Sequence, residues 1–208
     1  MDILNLEQQL IFYGSYHHTK GNILIHLIGV PAIMTTTFLF ASNTPPLLPL
    51  PFSIPYFPPT LATLAALFYS TLYILMEPLA GLLITPLILL MTAFVTHLTS
   101  ASTATAATAN TAAGYVFVLA WIAQFVGHGV YEKRAPALFD NLVQAAFLAP
   151  FFVWFEVLFW CGYRPELKAR VEEGVLKRLE AFRKAKMGEK MGEKMGEKME
   201  EKVEEKPE

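Results

Sequence analysis

An all-α integral membrane bundle with about five membrane-spanning helices is the fold class that three features predict. Apolar residues make up 54% of the 208 and charged residues only 16%, well below the usual quarter. Between Asn22 and Gln124 the single formal charge is Glu77, so the middle of the chain has almost nothing to present to water. The mean hydropathy of +0.40 and the net charge of −2 average a nearly uncharged body with a charged tail. A soluble bundle could not hide such a stretch, whereas about 20 predominantly apolar residues suffice for one bilayer crossing.

The elements follow in order. Leu4, Leu6, Leu10, Ile11 and Tyr13 alternate with Glu7, Gln8 and Gln9, the pattern of an amphipathic helix lying at a membrane surface. The N-terminus lacks the basic region and cleavage site of a signal peptide, so insertion is expected to rely on internal segments. Five apolar segments are expected as spans: 22–41, 60–77, 79–98, 113–130 and 138–160. Their separators are turn-like. Seven prolines in ASNTPPLLPLPFSIPYFPP preclude a helix there. MEPLAG, the small polar run TSASTATAATANTAAG and YEKRAP are expected to make the remaining breaks. Residues 1–163 thus form one membrane-embedded domain and 164–186 a charged amphipathic helix. Residues 187–208, with MGEK three times and then MEEK, are expected as a disordered, solvated tail.

Counting spans places the histidines. If all five segments cross, the start of the first shares a face with the end of the fourth. His17, His18 and His26 then meet His128, while His97 falls on the opposite face. In one unbroken helix His17 and His26 would point apart. A break at Thr19-Lys20-Gly21-Asn22, with Gly21 as C-cap and Asn22 as N-cap, would let them face each other. Tyr13 lies one turn before His17 and Asn22 one turn before His26, placed to orient those rings. Gln124, His128 and Glu132, spaced i, i+4, i+8, form a polar stripe on an apolar helix, and Gly127 and Gly129 leave room beside His128. Ionisable groups in membrane helices usually face a functional cavity.

Cys161 is the only cysteine, so a metal would be held by nitrogen and oxygen, which suits iron, zinc or copper. Three histidines with a water would make a hydrolytic zinc site, and two with Glu132 the facial arrangement of non-haem Fe(II) oxygenases. The HxxxH and HxxHH boxes of membrane di-iron hydroxylases are missing, as are GxSxG and GxxxxGK[ST]. Basic residues are few and mixed with acids, which argues against a nucleic-acid partner.

YGSYHHTKGNILIHLIGVP and WIAQFVGHGVYEKRAPALFDNLVQAAFLAPFFVWFEVLF closely resemble the two signature regions of the fungal 2-hydroxy-fatty-acid dioxygenase family, multi-pass proteins of the endoplasmic reticulum membrane. The resemblance runs from about Leu4 to Leu167. It implies Fe2+-dependent oxygenation in fatty-acid α-oxidation, in which O2 shortens a long-chain 2-hydroxy fatty acid by one carbon during phytosphingosine breakdown. His17, Asn22 and His26 match the first motif, His18 its doubled histidine, and Gln124, His128, Glu132 and Pro136 the second. On this resemblance His17, His26 and His128 are expected to bind iron, with His18 as fourth ligand. Glu132, as ligand or as acceptor from an imidazole, joins Tyr13 and Gln124 as a catalytic candidate. Lys133, Arg134 and Asn22 are candidates for binding substrate, whose alkyl chain would lie in an apolar groove between helices. The competing readings are a membrane zinc hydrolase acting on lipid and a non-catalytic lipid-binding scaffold.

Overall fold

Helix is the only regular structure among the residues that the computed structural model describes, 4–52, 54–136 and 144–204. The helices are α1 (Leu6–Gly14), α2 (Lys20–Ser42), α3 (Leu61–Met76), α4 (Pro78–Ala101), α5 (Thr103–Gly127), α6 (Ala149–Trp160) and α7 (Pro165–Glu204). A π-helical turn, His128–Glu132, continues α5, and another, Gln144–Leu148, precedes α6. Three helices are long and apolar enough to cross a membrane: α2, α4, and α5 with its π-turn.

Two boundaries differ from the sequence expectation. The Thr/Ala-rich run is not a loop. It belongs to α4 and α5, which are interrupted at Ser102, whose side chain caps Thr105 N at 3.1 Å. Alanine favours helix, and Thr108 and Thr111 return their hydroxyls to the carbonyls of Ala104 and Ala107. The break before α2 lies at residues 15–19 rather than at Gly21-Asn22. Ser15 ends α1 and extended Thr19 precedes α2, which leaves Gly21 and Asn22 inside the first turns of α2. Gly21 serves packing instead, since a Cβ there would fall on the Tyr131 ring.

The expected fifth span, 138–160, lies partly outside the described residues. Its described part runs beside half of α3. Tyr69 Oη donates to Ala146 O at 3.1 Å and Tyr73 Oη to Phe147 O at 2.9 Å. Further along, Trp154 Nε1 donates to Ala80 O at 3.1 Å. So α6 starts at the depth of Tyr69 and ends at the level of the α3–α4 turn. There Arg164 meets Glu77 at 3.4 Å, the single charge of the apolar body. The charged helix α7 therefore lies at that same end, against α1, where Arg170 pairs with Glu7 at 3.0 Å. Ile11 seats over Gly174 and Val175 over Gly14. The MGEK repeats continue α7 as helix, with Met187, Met191 and Met195 exposed.

The α3–α4 turn shows how tightly the apolar helices approach. Glu77 is extended, Pro78 opens α4, and Glu77 Oε2 caps Ala80 N at 2.6 Å. A Cβ on Gly81 would stand 2.5 Å from Ile74 Cα, whereas one on Gly114 would meet nothing within 4 Å. Small residues at crossings let apolar helices pack where no hydrophobic force drives them together. Gly81→Ala is therefore expected to lower stability by about 1–3 kcal/mol, and Gly114→Ala to leave it unchanged or slightly raised. Denaturant unfolding midpoints in detergent would check both.

Candidate metal centre

The end of α2 meets the start of α3, the end of α4 and the start of α5, through Thr44 with Leu61, Ser42 with Thr99 and Asn43 with Asn110. So α2 to α5 alternate in direction, and the start of α2 shares one end of the bundle with the end of α5. The loop 15–19 brings His17 there, the first turns of α2 bring His26, and the end of α5 brings His128. All three rings are buried. One ligand atom from each lies within 4.8 Å of the others, and the rings sit edge to face with centroids 4.2 to 5.0 Å apart. His97 is elsewhere, near Tyr56 of the proline-rich connection.

Backbone carbonyls set the tautomers. His17 Nδ1 lies 3.0 Å from Tyr13 O and His26 Nδ1 lies 2.9 Å from Asn22 O. A carbonyl only accepts, so both Nδ1 atoms carry hydrogen and both Nε2 atoms keep a free lone pair, the arrangement of metal-ligating imidazoles. The Tyr13 ring also stacks on His17 at 3.9 Å. His128 Nδ1 is buried without a hydrogen-bond partner, which is costly for a purely structural histidine. The donor set, three imidazole nitrogens within 4.8 Å of one another, fits a divalent transition metal.

Glu132 gathers the loop rather than joining the three rings. Its side chain is 1% exposed. Oε1 accepts from His18 N and Thr19 N, both at 3.0 Å, from Thr19 Oγ1 at 2.8 Å and from Asn22 Nδ2 at 3.1 Å. Oε2 lies 2.5 Å from His18 Nδ1. The π-turn explains why Glu132 leaves the line of Gln124 and His128. Its i→i+5 bonding widens the turn, and such turns recur at functional sites. His18, one-third exposed, therefore stands beside Glu132 and apart from the cluster.

The remaining candidates divide between two cavities. The first, about 440 Å³, is apolar, with the three histidines at its head. Tyr13 and Gln124 line it. Gln124 Nε2 donates to Ile25 O at 3.4 Å, and its Oε1 is buried with no partner. Lys133 and Arg134 line the second, about 400 Å³, with His18 and Glu132. There the Arg134 guanidinium lies over the rings of Tyr16, at 3.7 Å, and Phe182, at 4.3 Å. Asn22 lines neither cavity and serves the Glu132 clamp. Thr19 and the aromatic ridge Phe117, Trp121, Phe125 were not singled out from sequence. The ridge had a signal in its i, i+4, i+8 spacing, whereas the role of Thr19 depends on where Glu132 ends.

Burial, then the neighbouring His26 and His128, hold the His17 imidazole well below its ordinary 6.5. Above pH 6.5 the ring is neutral folded or unfolded. As pH falls below that value the unfolded chain takes a proton that the folded ring refuses, so stability declines until the depressed folded value is passed. The metal-free protein is expected to lose Tm steadily from about pH 7 to about pH 5. His17→Gln should make that slope shallower without abolishing it in a pH series of melts, since two further buried imidazoles remain.

Among known proteins, residues 3–160 match the model of the family described as 2-hydroxy-palmitic acid dioxygenase Mpo1-like. The curated 2-hydroxy-palmitic acid dioxygenase MPO1 of Saccharomyces cerevisiae is 42% identical over 170 residues, 82% of this chain and 89% of the yeast protein. No solved structure matches the chain.

Proposed function

The chain belongs to the Mpo1-like 2-hydroxy-palmitic acid dioxygenase family, and on that premise we propose that it is an Fe(II)-dependent dioxygenase shortening long-chain 2-hydroxy fatty acids by one carbon. The reaction balances with one O2. The C1–C2 bond breaks, C2 becomes the new carboxyl, C1 leaves as CO2, and the remaining oxygen leaves as water. The biological setting we propose is α-oxidation during phytosphingosine breakdown, in the endoplasmic reticulum membrane. One observation carries the reading: three buried imidazoles, each free to offer a lone pair, converge at the head of an apolar cavity.

His17, His26 and His128 would hold the ion. Bound Fe(II) supplies open positions for a chelating substrate and the electron-transfer capacity that O2 chemistry needs. The residues do the rest. Tyr13 O and Asn22 O fix two of the rings, and the Tyr13 ring keeps the plane of His17. Gln124 Oε1 is placed to accept from the substrate 2-hydroxyl. Glu132 holds the loop through which His17 and α2 are joined. The apolar lining excludes water from the head group. Lys133 and Arg134, outside that cavity, draw the anionic head toward the site by long-range attraction. His18, expected as a ligand, works with Glu132 in this reading.

In the membrane we propose four crossings, α2 to α5, with α6 returning to the face it came from. Neither the connection 43–60 nor the Ser102 turn contains lysine or arginine, so the basic residues gather at the end of the bundle that holds the site. The positive-inside rule then places that end in the cytoplasm. Cys161, exposed just after α6, reports on this: a membrane-impermeant maleimide should label it in sealed microsomes without detergent. Labelling only after permeabilisation would reverse the orientation.

Anaerobic purification with metal analysis tests the activity. Stoichiometric iron and O2-dependent turnover of 2-hydroxypalmitate are expected. Retained zinc with oxygen-independent hydrolysis would replace the reading with a lipid hydrolase. Absence of any bound metal or turnover would leave a lipid-binding scaffold.

A further inference from the structure

The cavity below the histidines has a length, a direction and an open side. From His26 to Thr37, α2 advances about 16 Å, and α5 runs about as far from His128 to Phe117. A single leaflet of a bilayer core is about 15 Å deep. The groove therefore runs the depth of one leaflet, its head at the charged face and its far end near the midplane.

One wall is the α5 ridge of Phe117, Trp121 and Phe125, and the floor is α2 with Val30, Ile33 and Thr37. On the other side, among the described residues, α6 and the π-turn before it reach only to the level of Tyr69. The floor is open where it passes that level: Val30 is buried, Ile33 half-buried and Thr37 exposed. Phe125 is 43% exposed.

We propose that the groove is a slot open to the leaflet, which takes the alkyl chain of a 2-hydroxy acid sideways from the bilayer. An all-trans chain advances about 1.3 Å per carbon, from C–C bonds near 1.5 Å. The slot accommodates about a dozen carbons beyond the head, and any further carbons stay in lipid. Lipid tails are as apolar as the lining, so moving a chain from bilayer to slot is close to neutral. The enzyme therefore selects the 2-hydroxy-carboxylate head and sets no upper limit on chain length. This rests on the dioxygenase reading above, whose substrate class it refines.

The test uses the full chain in phospholipid vesicles. With Fe(II) and O2, kcat/KM for 2-hydroxy acids of 14 to 24 carbons should agree within about threefold. Ile33→Trp fills the floor about 10 Å from His26, and should slow 14-carbon and longer substrates more than tenfold while sparing an eight-carbon one. Binding is read independently on iron-free protein carrying Trp154→Phe and Trp160→Phe, in which Trp121 is the remaining tryptophan. A 2-hydroxystearate brominated at carbons 9 and 10 should quench Trp121, and Ile33→Trp is left out of that arm. A rate that falls more than tenfold beyond 16 carbons, or an unquenched Trp121, overturns the slot. Quenching without turnover of any 2-hydroxy acid would leave the slot standing and overturn the dioxygenase reading.

Discussion

His128→Ala is expected to leave a folded protein that retains no iron and has lost turnover of 2-hydroxypalmitate. The loss should exceed the roughly 10–100-fold that follows removal of a mere outer partner of a metal ligand. What makes this variant informative is the orphaned Nδ1. Alanine removes a buried polar atom that had no partner, which offsets part of the cost of the cavity it leaves. His17→Ala and His26→Ala also break an Nδ1–H bond to a carbonyl, adding about 0.5–1.5 kcal/mol of destabilisation. Melts with and without Fe(II) separate a metal site from helix glue. Wild type should gain Tm on adding Fe(II), as any ligand of the native state confers, and His128→Ala should gain none. An equal gain in both would remove His128 from the metal site.

Glu132→Ala is expected to be the most destabilising single change at the site, by about 1–3 kcal/mol, the range for leaving buried donors without their acceptor. It strands the N–H groups of His18 and Thr19, the Thr19 hydroxyl and the Asn22 amide at once. Because that loop joins His17 to α2, Fe(II) affinity should fall with it, by about 10–100-fold. Glu132→Gln separates the roles. It keeps Oε1 as an acceptor for the loop and changes only the contact with His18. Gln should recover most of the stability and iron affinity if Glu132 clamps the loop. If Glu132 ligates the metal, Gln should recover the stability and leave iron affinity low. Unfolding midpoints and metal titration on the three proteins decide between them.

The helical class, with helices long and apolar enough to cross a membrane, was legible because it depends on composition. A run with one charge between Asn22 and Gln124 has few places to fold other than lipid. The meeting of His17, His26 and His128 was legible for a similar reason, since the parity of crossings depends on the count of apolar segments before the site. The pairing of Tyr13 with His17 and of Asn22 with His26 followed from one helical turn, although in both the backbone carbonyl makes the bond.

Other features depend on contacts distant in sequence, and these the sequence did not display. The sequence points to a start of α2 at Gly21-Asn22, because a glycine before asparagine has the chemistry of a cap. The actual break is held by Glu132, more than a hundred residues away. The Thr/Ala run has the composition of a linker yet continues as helix, because its hydroxyls can bond to their own helix. The extent of α6 was hidden because its hydropathy resembles that of a crossing. Only its bonds to Tyr69, Tyr73 and Ala80 show that it ends at the level of Glu77.

The sequence by itself thus determined that the chain forms helices apolar enough to cross a membrane and which end of the bundle gathers His17, His26 and His128, since both follow from counting apolar and charged residues. The tertiary structure decided which histidines converge, that Glu132 turns to the loop, and that Lys133 and Arg134 face a separate cavity. A π-turn and a buried carboxylate set those directions, and a side chain's direction depends on partners that lie far off along the chain.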